Sequence, residues 1–466
     1  MSDLSEINNW LRERLPALIA EHKIPGAAVA VSAGDQVIDV AAGVLSKATG
    51  VEADVDSVFQ IGSITKVWTT SLLMQLVDEG KLDIDAHVRR YIPDFALADD
   101  TAAAAITVRQ LMCHTAGFEG DLFTDTGKGD DCVEKYVATL RDTPQLFTPG
   151  EMFSYNNAGF CVLGRIVEVL RGKPFDACMR EHLFTPLGLT HAANGADEAI
   201  LYRAAVGHIQ PTPDAEPQPA PIWSLVRSNA PAGSALAMRP RDLLAFVRMH
   251  LNGGKAADGT AVLSEASIKA MQERQVKLPE LGLMGDAWGL GWELFDWPGG
   301  NVIGHDGGTI GQSSTLRVVP GRDVAVAVFT NGGNPFGPFE EILSRVLREL
   351  AGVEMPALPK PPEAPSPAGR DELARYLGTY GSEVADLVVS QDDEGRLWIE
   401  QRPKGIMLAL GAQVERRELV HAGGDRFLPL EPQHGIHPPH VFVGDDGDGH
   451  ALYIHSGRAT RRVPTA

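Results

Sequence analysis

The sequence is poor in basic residues, in cysteine and in long apolar runs, and each shortage excludes a class of protein. Its 466 residues hold 41 Lys and Arg against 61 Asp and Glu, a formal net charge of −20. Because phosphate groups are bound by basic surfaces, we expect no nucleic-acid partner and no docking on an anionic membrane. No segment approaches the roughly 18 consecutive apolar residues that a membrane-spanning helix needs.

The cysteines and the amino-terminal sequence indicate in which cellular compartment the protein is expected. The four cysteines show neither CxxC spacing nor the density of a disulfide framework, so we expect free thiols. The first 20 residues contain acidic side chains from position 3 onward and lack the apolar stretch of a secretion signal. They predict instead an amphipathic helix with Leu4, Ile7, Leu11 and Leu15 on one face. We therefore expect a cytoplasmic protein.

A proline-rich segment divides the chain into two regions with different secondary-structure patterns. Residues 1–353 mix helical and strand patterns, which predicts an α+β domain with an antiparallel sheet, flanking helices and a helical subdomain. Six prolines between 356 and 367 predict an extended linker over residues 354–370. Residues 371–466 alternate short apolar strands with Gly/Asp turns, as in DLVVSQDDEGRLWIEQ, and predict a small all-β barrel.

The segment Ser63-Ile64-Thr65-Lys66 is the strongest candidate for a nucleophile and its base. A serine hydroxyl reacts only when a base removes its proton. Residues three apart lie on one helix face, so Lys66 can reach Ser63 within a single turn. A lysine in a dry pocket loses its preference for the charged form and can accept that proton. Chance alone produces such a motif about once in a chain of this length, so it needs support from elsewhere.

Tyr155-Asn156-Asn157, just before a predicted helix that ends at Gly172, supplies a second set of polar groups. A phenol near cations is pushed towards phenolate and can serve as general base or as proton donor to a leaving group. Asn157 offers an amide that can bind the substrate or Lys66. A tyrosine at a helix start is also a common core residue, so this motif alone decides nothing.

Gly304-His305-Asp306-Gly307-Gly308, ahead of a predicted strand, is the third candidate. The two final glycines let a substrate approach the backbone, and the amides of Ser63 and Gly308 can form an oxyanion hole. His305 is expected at the pocket edge as a polar, partly charged group. His-x-Gly also occurs at His421 and His455, so its place after the other two motifs is what singles it out.

In this order the three motifs resemble those of the serine β-lactamase and penicillin-binding protein superfamily, nearest its class C-like branch. The resemblance extends over residues 1–350 and includes TVRQLMCHTAG, FTPG, PAGS and WGLGW. It implies Ser63 as nucleophile, Lys66 and Tyr155 sharing the role of base, and Ser63, Gly308, Asn157 and His305 around the oxyanion and substrate. The last region is similar to the lipocalin-like domains that some relatives carry.

The resemblance predicts a serine hydrolase that acts through an acyl-enzyme on small esters or amides, as an esterase or a D-aminopeptidase-like amidase. An acyltransferase or transamidase would use the same acyl-Ser63 intermediate and stays open. In β-lactamases the third motif usually begins with a lysine that holds the penicillin carboxylate. His305 stands there instead, so a true β-lactamase or D,D-peptidase is the weaker alternative.

Two further polar segments are predicted to be surface turns or loops. Residues 434–440 contain three histidines among prolines and predict an exposed barrel turn that could border the pocket, and we expect neither a metal nor a cofactor. The acidic stretch from Asp121 to Asp131 predicts a solvated loop, with a lid over the pocket as the lesser alternative. Oligomeric state has no signal in the sequence.

Overall fold

A computed structural model describes residues 3–210, 215–363, 373–409 and 411–463 of the chain. The second half of the expected linker, residues 364–370, therefore lies outside the described residues. The α-helices are α1 (Leu4–Glu21), α2 (Thr65–Asp78), α3 (Asp100–Ala105), α4 (Val108–Met112), α5 (Cys132–Thr139), α6 (Asn157–Arg171), α7 (Phe175–Met179), α8 (Ala196–Ala199), α9 (Pro240–Leu251), α10 (Glu265–Gln272), α11 (Phe336–Val346) and α12 (Gly405–Ala409).

The strands fall into one large sheet, one barrel and short pairings. They are β1 (Gly26–Ala33), β2 (Gln36–Gly43), β3 (Phe59–Gln60), β4 (Ala192–Ala193), β5 (His208–Ile209), β6 (Gln218–Pro219), β7 (Ala237–Met238), β8 (Val276–Lys277), β9 (Ala287–Trp288), β10 (Glu293–Trp297), β11 (Gly300–Gly308), β12 (Ser313–Val319), β13 (Val324–Thr330), β14 (Gly378–Gly381), β15 (Ala385–Gln391), β16 (Leu397–Pro403), β17 (Glu415–His421), β18 (Arg426–Pro429), β19 (His440–Val443), β20 (Tyr453–His455) and β21 (Ala459–Arg462).

The large sheet joins the two ends of the first domain. Its order is β2-β1-β13-β12-β11-β10-β9-β8, and every pairing is antiparallel. Ala27 of β1 lies opposite Thr330 of β13, so segments about 300 residues apart form the centre of the sheet. The predicted α+β class, with an antiparallel sheet flanked by helices, is confirmed.

Both faces of the sheet are covered, as the near-continuous apolar sequence of β1 requires. Val29 and Val31 belong to the apolar cluster formed with α1 and α11. Ala28 and Ala30 belong to the larger cluster that contains the α2 and α9 side chains. Successive side chains of a strand point to opposite faces, so one strand contributes to both cores.

Helix α2 forms the centre of the larger core and presents the serine motif at its amino end. Its residues from Thr65 to Leu76 are buried, and the Trp68 ring stacks on Phe246 of α9 with centroids 3.9 Å apart. A 3₁₀ turn, Gly62–Ile64, precedes it and carries Ser63. Helix α6 packs against α2, α4 and α5, and begins two residues after Tyr155. It ends at Gly172, as predicted, and the φ of 66° there forms a left-handed cap.

Strands β14 to β21 close into an eight-stranded barrel. Its interior holds four aromatic side chains in one buried cluster: Tyr376, Tyr380, Phe427 and Phe442. Closure leaves no strand edge unpaired, which suits a small all-β unit. The predicted all-β fold of this region is confirmed.

The barrel contacts the first domain through the β20–β21 hairpin. His455 Nε2 lies 2.7 Å from the Phe153 carbonyl oxygen, and the Tyr155 amide donates to the Gly457 carbonyl at 3.0 Å. The Tyr453 hydroxyl donates to the Leu146 carbonyl at 2.8 Å. The segment after Val353 also follows the domain surface, since the Glu354 amide donates to the Pro298 carbonyl.

Within the described residues, no helix has the length and apolar character to cross a membrane. The four cysteines are free and buried. Across those same residues, the structure brings together no group of three His, Cys, Asp or Glu side chains that could hold a metal ion.

Candidate active site

The serine motif places a buried amine against a hydroxyl at the base of a cavity. Lys66 Nζ lies 3.1 Å from Ser63 Oγ, 2.8 Å from Asn157 Oδ1 and 2.6 Å from the Ala232 carbonyl oxygen. These contacts fix the amine at the serine oxygen. Three of the predicted residues therefore meet at one point, although Asn157 is 91 residues from Lys66 in the sequence.

The environment of Lys66 disfavours the positively charged form of its amine. The side chain is fully buried, and burial lowers the pKa of Lys66 to about 7, with the nearby Arg458 cation acting in the same direction. The amine also lies 4.7 Å from the centre of the Tyr155 ring. Near neutral pH a substantial fraction of Lys66 is therefore uncharged and able to accept a proton.

Tyr155 lies beside this pair as a neutral phenol. Burial raises the pKa of Tyr155 well above that of a free phenol, although contact with Ser63 and the charge of Arg458 oppose the shift. The expectation that neighbouring cations favour the phenolate is wrong, because desolvation outweighs them. His114 stacks on the Tyr155 ring at 4.4 Å, and its Nδ1 accepts from the Asn156 amide, so the helix start and the ring are held together.

Gly308 ends β11 directly beside the turn that carries Ser63. A Cβ on Gly62 would lie only 2.6 Å from the Gly308 nitrogen, and Gly62 has a φ of 52°. The Ser314 hydroxyl donates to the Ile61 carbonyl at 2.8 Å and joins β12 to the same turn. This close backbone approach brings the Ser63 and Gly308 segments to one cavity, as an oxyanion hole built from their amides requires.

His305 is a buried neutral side chain. It is 1% exposed, and burial lowers its pKa to about 3, with the Lys66 charge as the next cause. Its Nδ1 lies 2.6 Å from the Asp306 carbonyl oxygen, and its ring is nearly perpendicular to that of Trp288. His305 lines the cavity, but the expectation that it is partly charged is wrong, because burial disfavours the imidazolium form.

The sequence interpretation missed Glu293, a buried carboxylate whose charge interacts with that of Asp306 from the third motif. Glu293 lines the cavity, and burial together with the Asp306 charge raises its pKa. Burial alone would raise the pKa of Asp306, but Arg317 contacts both of its oxygens at 2.7 and 2.9 Å and lowers it. Glu293 follows the WGLGW segment by one residue, which was the available signal.

The sequence interpretation also missed an ion pair at the site, between Arg458 and Asp121. Arg458, in the turn between β20 and β21, places its guanidinium 4.8 Å from the centre of the Tyr155 ring. Its Nε donates to Asp121 Oδ2 at 2.6 Å, and Asp121 Oδ1 accepts from Asn157 Nδ2 at 2.7 Å. Asp121 was expected in a solvated loop, but its side chain is 13% exposed and joins the barrel to the site.

The loop that the barrel contributes also differs from the expected one. The segment 434–440 is not among the residues that line the cavity, and His437 Nδ1 lies 2.8 Å from the Pro429 carbonyl oxygen. The cavity measures about 360 Å³. It is lined by predicted and missed residues together: Ser63, Tyr155, Asn157, His305, Gly308, Glu293 and Arg458.

Comparisons with known proteins agree with this geometry. Residues 11–350 match the profile of the Beta-lactamase family, and the chain belongs to that family. Penicillin-binding protein 4 of Amycolatopsis lactamdurans is 44% identical over 377 residues, covering 80% of this chain and 97% of that protein. The fold of a serine hydrolase is thus established for the large domain, and the chain is a serine hydrolase of the β-lactamase fold.

Solved structures extend the likeness to the barrel. The crystal structure of SurE superposes with a TM-score of 0.77 at 27% identity, covering 99% of this chain and 100% of that one. The D-amino acid amidase of Ochrobactrum anthropi SV3 shares the fold at 24% identity and a TM-score of 0.62, covering 74% of this chain and 98% of that one.

Proposed function

We propose that the chain acylates itself on Ser63 with an amide or ester substrate and releases the acyl group by hydrolysis. The observation that carries this proposal is the 3.1 Å contact between Ser63 Oγ and a buried Lys66 amine whose pKa lies at about 7. An uncharged amine in that position removes the serine proton without help from a histidine.

In the proposed reaction Lys66 takes the proton of Ser63 as the serine oxygen bonds to the carbonyl carbon. The amides of Ser63 and Gly308 stabilise the oxyanion. When the bond to the leaving nitrogen or oxygen breaks, the Tyr155 phenol gives that atom its proton and regains one from Lys66. Water then repeats the sequence on the acyl ester and returns Ser63 to its starting state.

Arg458 suggests the chemistry of the leaving group. Tyr155 must face the leaving atom, and Arg458 stacks on the Tyr155 ring at the cavity wall. A guanidinium binds a carboxylate well. The sequence analysis found no cation for this purpose, because the third motif begins with His305 and not with lysine. We therefore propose an amidase whose leaving amine carries a carboxylate. SurE has been solved with D-Leu, which supports a D-configured amino acid.

Acyl transfer to an amine is the second candidate, and the same cation favours it. A site that binds a leaving amino acid also binds an incoming one, because the two steps are the reverse of each other. Reaction of the enzyme with an ester substrate in the presence of D-leucine, analysed by mass spectrometry, separates the two functions. A dominant N-acyl-D-leucine product supports transfer, and a dominant free acid supports hydrolysis.

Covalent labelling tests the proposed nucleophile. A fluorophosphonate or a β-lactam probe, followed by peptide mapping, should label Ser63, and Ser63→Ala should abolish both label and turnover. Lys66→Ala should lower turnover nearly as far, because members of a catalytic unit are not additive. Circular dichroism checks that both variants remain folded. A label on another serine contradicts the assignment.

A further inference from the structure

A second and larger cavity opens beside the catalytic one. It measures about 720 Å³, twice the 360 Å³ of the catalytic cavity. Phe123 and Leu225 line both cavities, so the two share a wall. The combined space exceeds what a single small ester or amide needs, since a cavity of about 300–1,000 Å³ already holds a drug-sized ligand.

In the proposed reaction, the shared wall lies on the acyl side of Ser63. The proton donor faces the leaving group, so Tyr155 and Arg458 mark the leaving-group side, and neither of them lines the second cavity. The acyl chain must extend from Ser63 in another direction. The Phe123–Leu225 wall offers that direction, because a chain passing it enters the second cavity.

The second cavity has an apolar part, which includes the wall it shares with the catalytic cavity, and a charged part. The residues it shares with the catalytic cavity are both apolar, and Trp223, Ile222 and Ile310 continue that surface. The charged residues belong to the second cavity alone. They are four carboxylates against two cations: Asp125, Asp176, Asp197 and Glu198 against Lys128 and Arg227.

This charge is only partly neutralised within the protein. Arg227 contacts Asp176 and Asp130, so one cation is engaged by two carboxylates. Glu198 pairs with Arg180. The remaining field is negative, which attracts a cation and repels a second carboxylate.

We propose that the second cavity is the acyl subsite, and that it binds an extended acyl chain that is apolar near the scissile carbonyl and carries an ammonium group at its far end. This inference rests on the proposed acylation of Ser63. A peptidyl chain with a free amino terminus and an aliphatic ω-amino chain share this chemistry.

Gly195 offers a way to fill the subsite without straining the backbone. It lines the second cavity, its φ and ψ of −178° and −177° are extended, and a Cβ placed on it meets no atom within 4 Å. Gly195→Phe should occupy part of the cavity. Gly321→Phe is the matched control, because Gly321 also has open space around its Cβ and lies at a turn of the large sheet, outside both cavities.

The experiment measures kcat/KM for p-nitrophenyl esters of increasing acyl length, each long chain ending in an ammonium, a neutral amide or a carboxylate. In the native chain the long ammonium ester should exceed the acetate by at least tenfold and the equally long carboxylate by more. Gly195→Phe should collapse the long-to-short ratio at least fivefold, whereas Gly321→Phe should keep it.

Each length is prepared both as an aliphatic ω-amino ester and as a peptidyl ester with a free amino terminus, and the series with the larger long-to-short ratio identifies the source of the chain. A ratio near one for every length, with the acetate still acylating Ser63, overturns the subsite but leaves the proposed function standing. An equal ratio in the native chain and in Gly195→Phe overturns it as well. Failure of all esters to acylate Ser63 overturns the proposed function itself.

Discussion

Burial removes water from around the Lys66 amine and so favours its uncharged, basic form, which should make the reaction rate depend on pH. The uncharged amine is the reactive form, and burial places its pKa at about 7. We expect kcat/KM for a neutral ester to rise about tenfold per pH unit below pH 7 and to level off above it. Tyr155 stays a phenol over this range because burial raises its pKa. Initial rates between pH 5 and 9 check the profile.

Arg458 provides a control for that assignment. Its charge lowers the pKa of Lys66, so Arg458→Gln should move the inflection to higher pH. An inflection that stays in place would assign the titration to another group. A profile with no inflection between pH 5 and 9 would contradict the role of Lys66 as base.

At the residue scale, what could be predicted from sequence was the chemistry encoded within one turn. Ser63 and Lys66 are three apart at a helix start, so local geometry alone brings them together. Asp121 and Arg458 are 337 residues apart and meet only through docking of the barrel. The charge states of Tyr155 and His305 were misjudged for a related reason, since burial depth is a tertiary property.

Among the elements, the turn before α2 depends on a glycine. Gly62 has a φ of 52° and would press a Cβ against the Gly308 nitrogen at 2.6 Å. We expect Gly62→Ala to cost about 1–2 kcal/mol for its left-handed backbone and to lower kcat at least tenfold by separating the two oxyanion amides. Thermal unfolding and kcat for a p-nitrophenyl ester measure the two effects.

Gly80 is the matched control for this substitution. Its φ is 68°, and a Cβ there meets no atom within 4 Å. Gly80→Ala should therefore lose only the stability that the left-handed backbone costs, which is less than Gly62→Ala loses, and should retain kcat. Equal losses of kcat in both variants would contradict a specific role for the approach of Gly62 to Gly308.

The β20–β21 hairpin carries the selectivity prediction. Arg458→Gln should raise KM for an amide whose leaving group bears a carboxylate by roughly 10- to 100-fold, as loss of a charge-assisted contact of about 1.5–3 kcal/mol implies. A matched amide with a neutral leaving group should change much less. Arg461→Gln, an exposed position on β21, should leave both values unaltered. Equal losses for both amides in Arg458→Gln would reduce Arg458 to a structural role.

The elements themselves follow closely from local patterns. Helices α1 and α6 were both predicted, because the apolar period of α1 and the glycine that ends α6 are local signals. The barrel hairpins were predicted as a class. The sequence could not identify which barrel turn reaches the cleft, since residues 434–440 and 456–458 are both polar turns and only the docking orientation separates them.

For the molecule as a whole, the barrel contacts the catalytic domain and contributes Arg458 to the lining of its cavity. Its hairpin accepts from the Tyr155 amide and supplies Arg458 to the cavity. Removing it would therefore expose a paired amide as well as remove a charge. The segment after Val353 should be kept in such a truncation, because Met355 packs against the apolar cluster of α1 and α11.

We expect truncation after Glu363 to shift the ratio of carboxylate-bearing to neutral amide turnover as far as Arg458→Gln does in the full chain. The reason is that, among the described barrel residues, Arg458 alone lines the catalytic cavity. Truncation should in addition lower the unfolding temperature, because the cluster of Phe147, Tyr453 and Ala459 is lost. Kinetics on both amides, with circular dichroism to confirm folding, measure the two effects. A larger ratio shift in the truncated chain than in Arg458→Gln would mean that the barrel shapes the substrate site through further contacts.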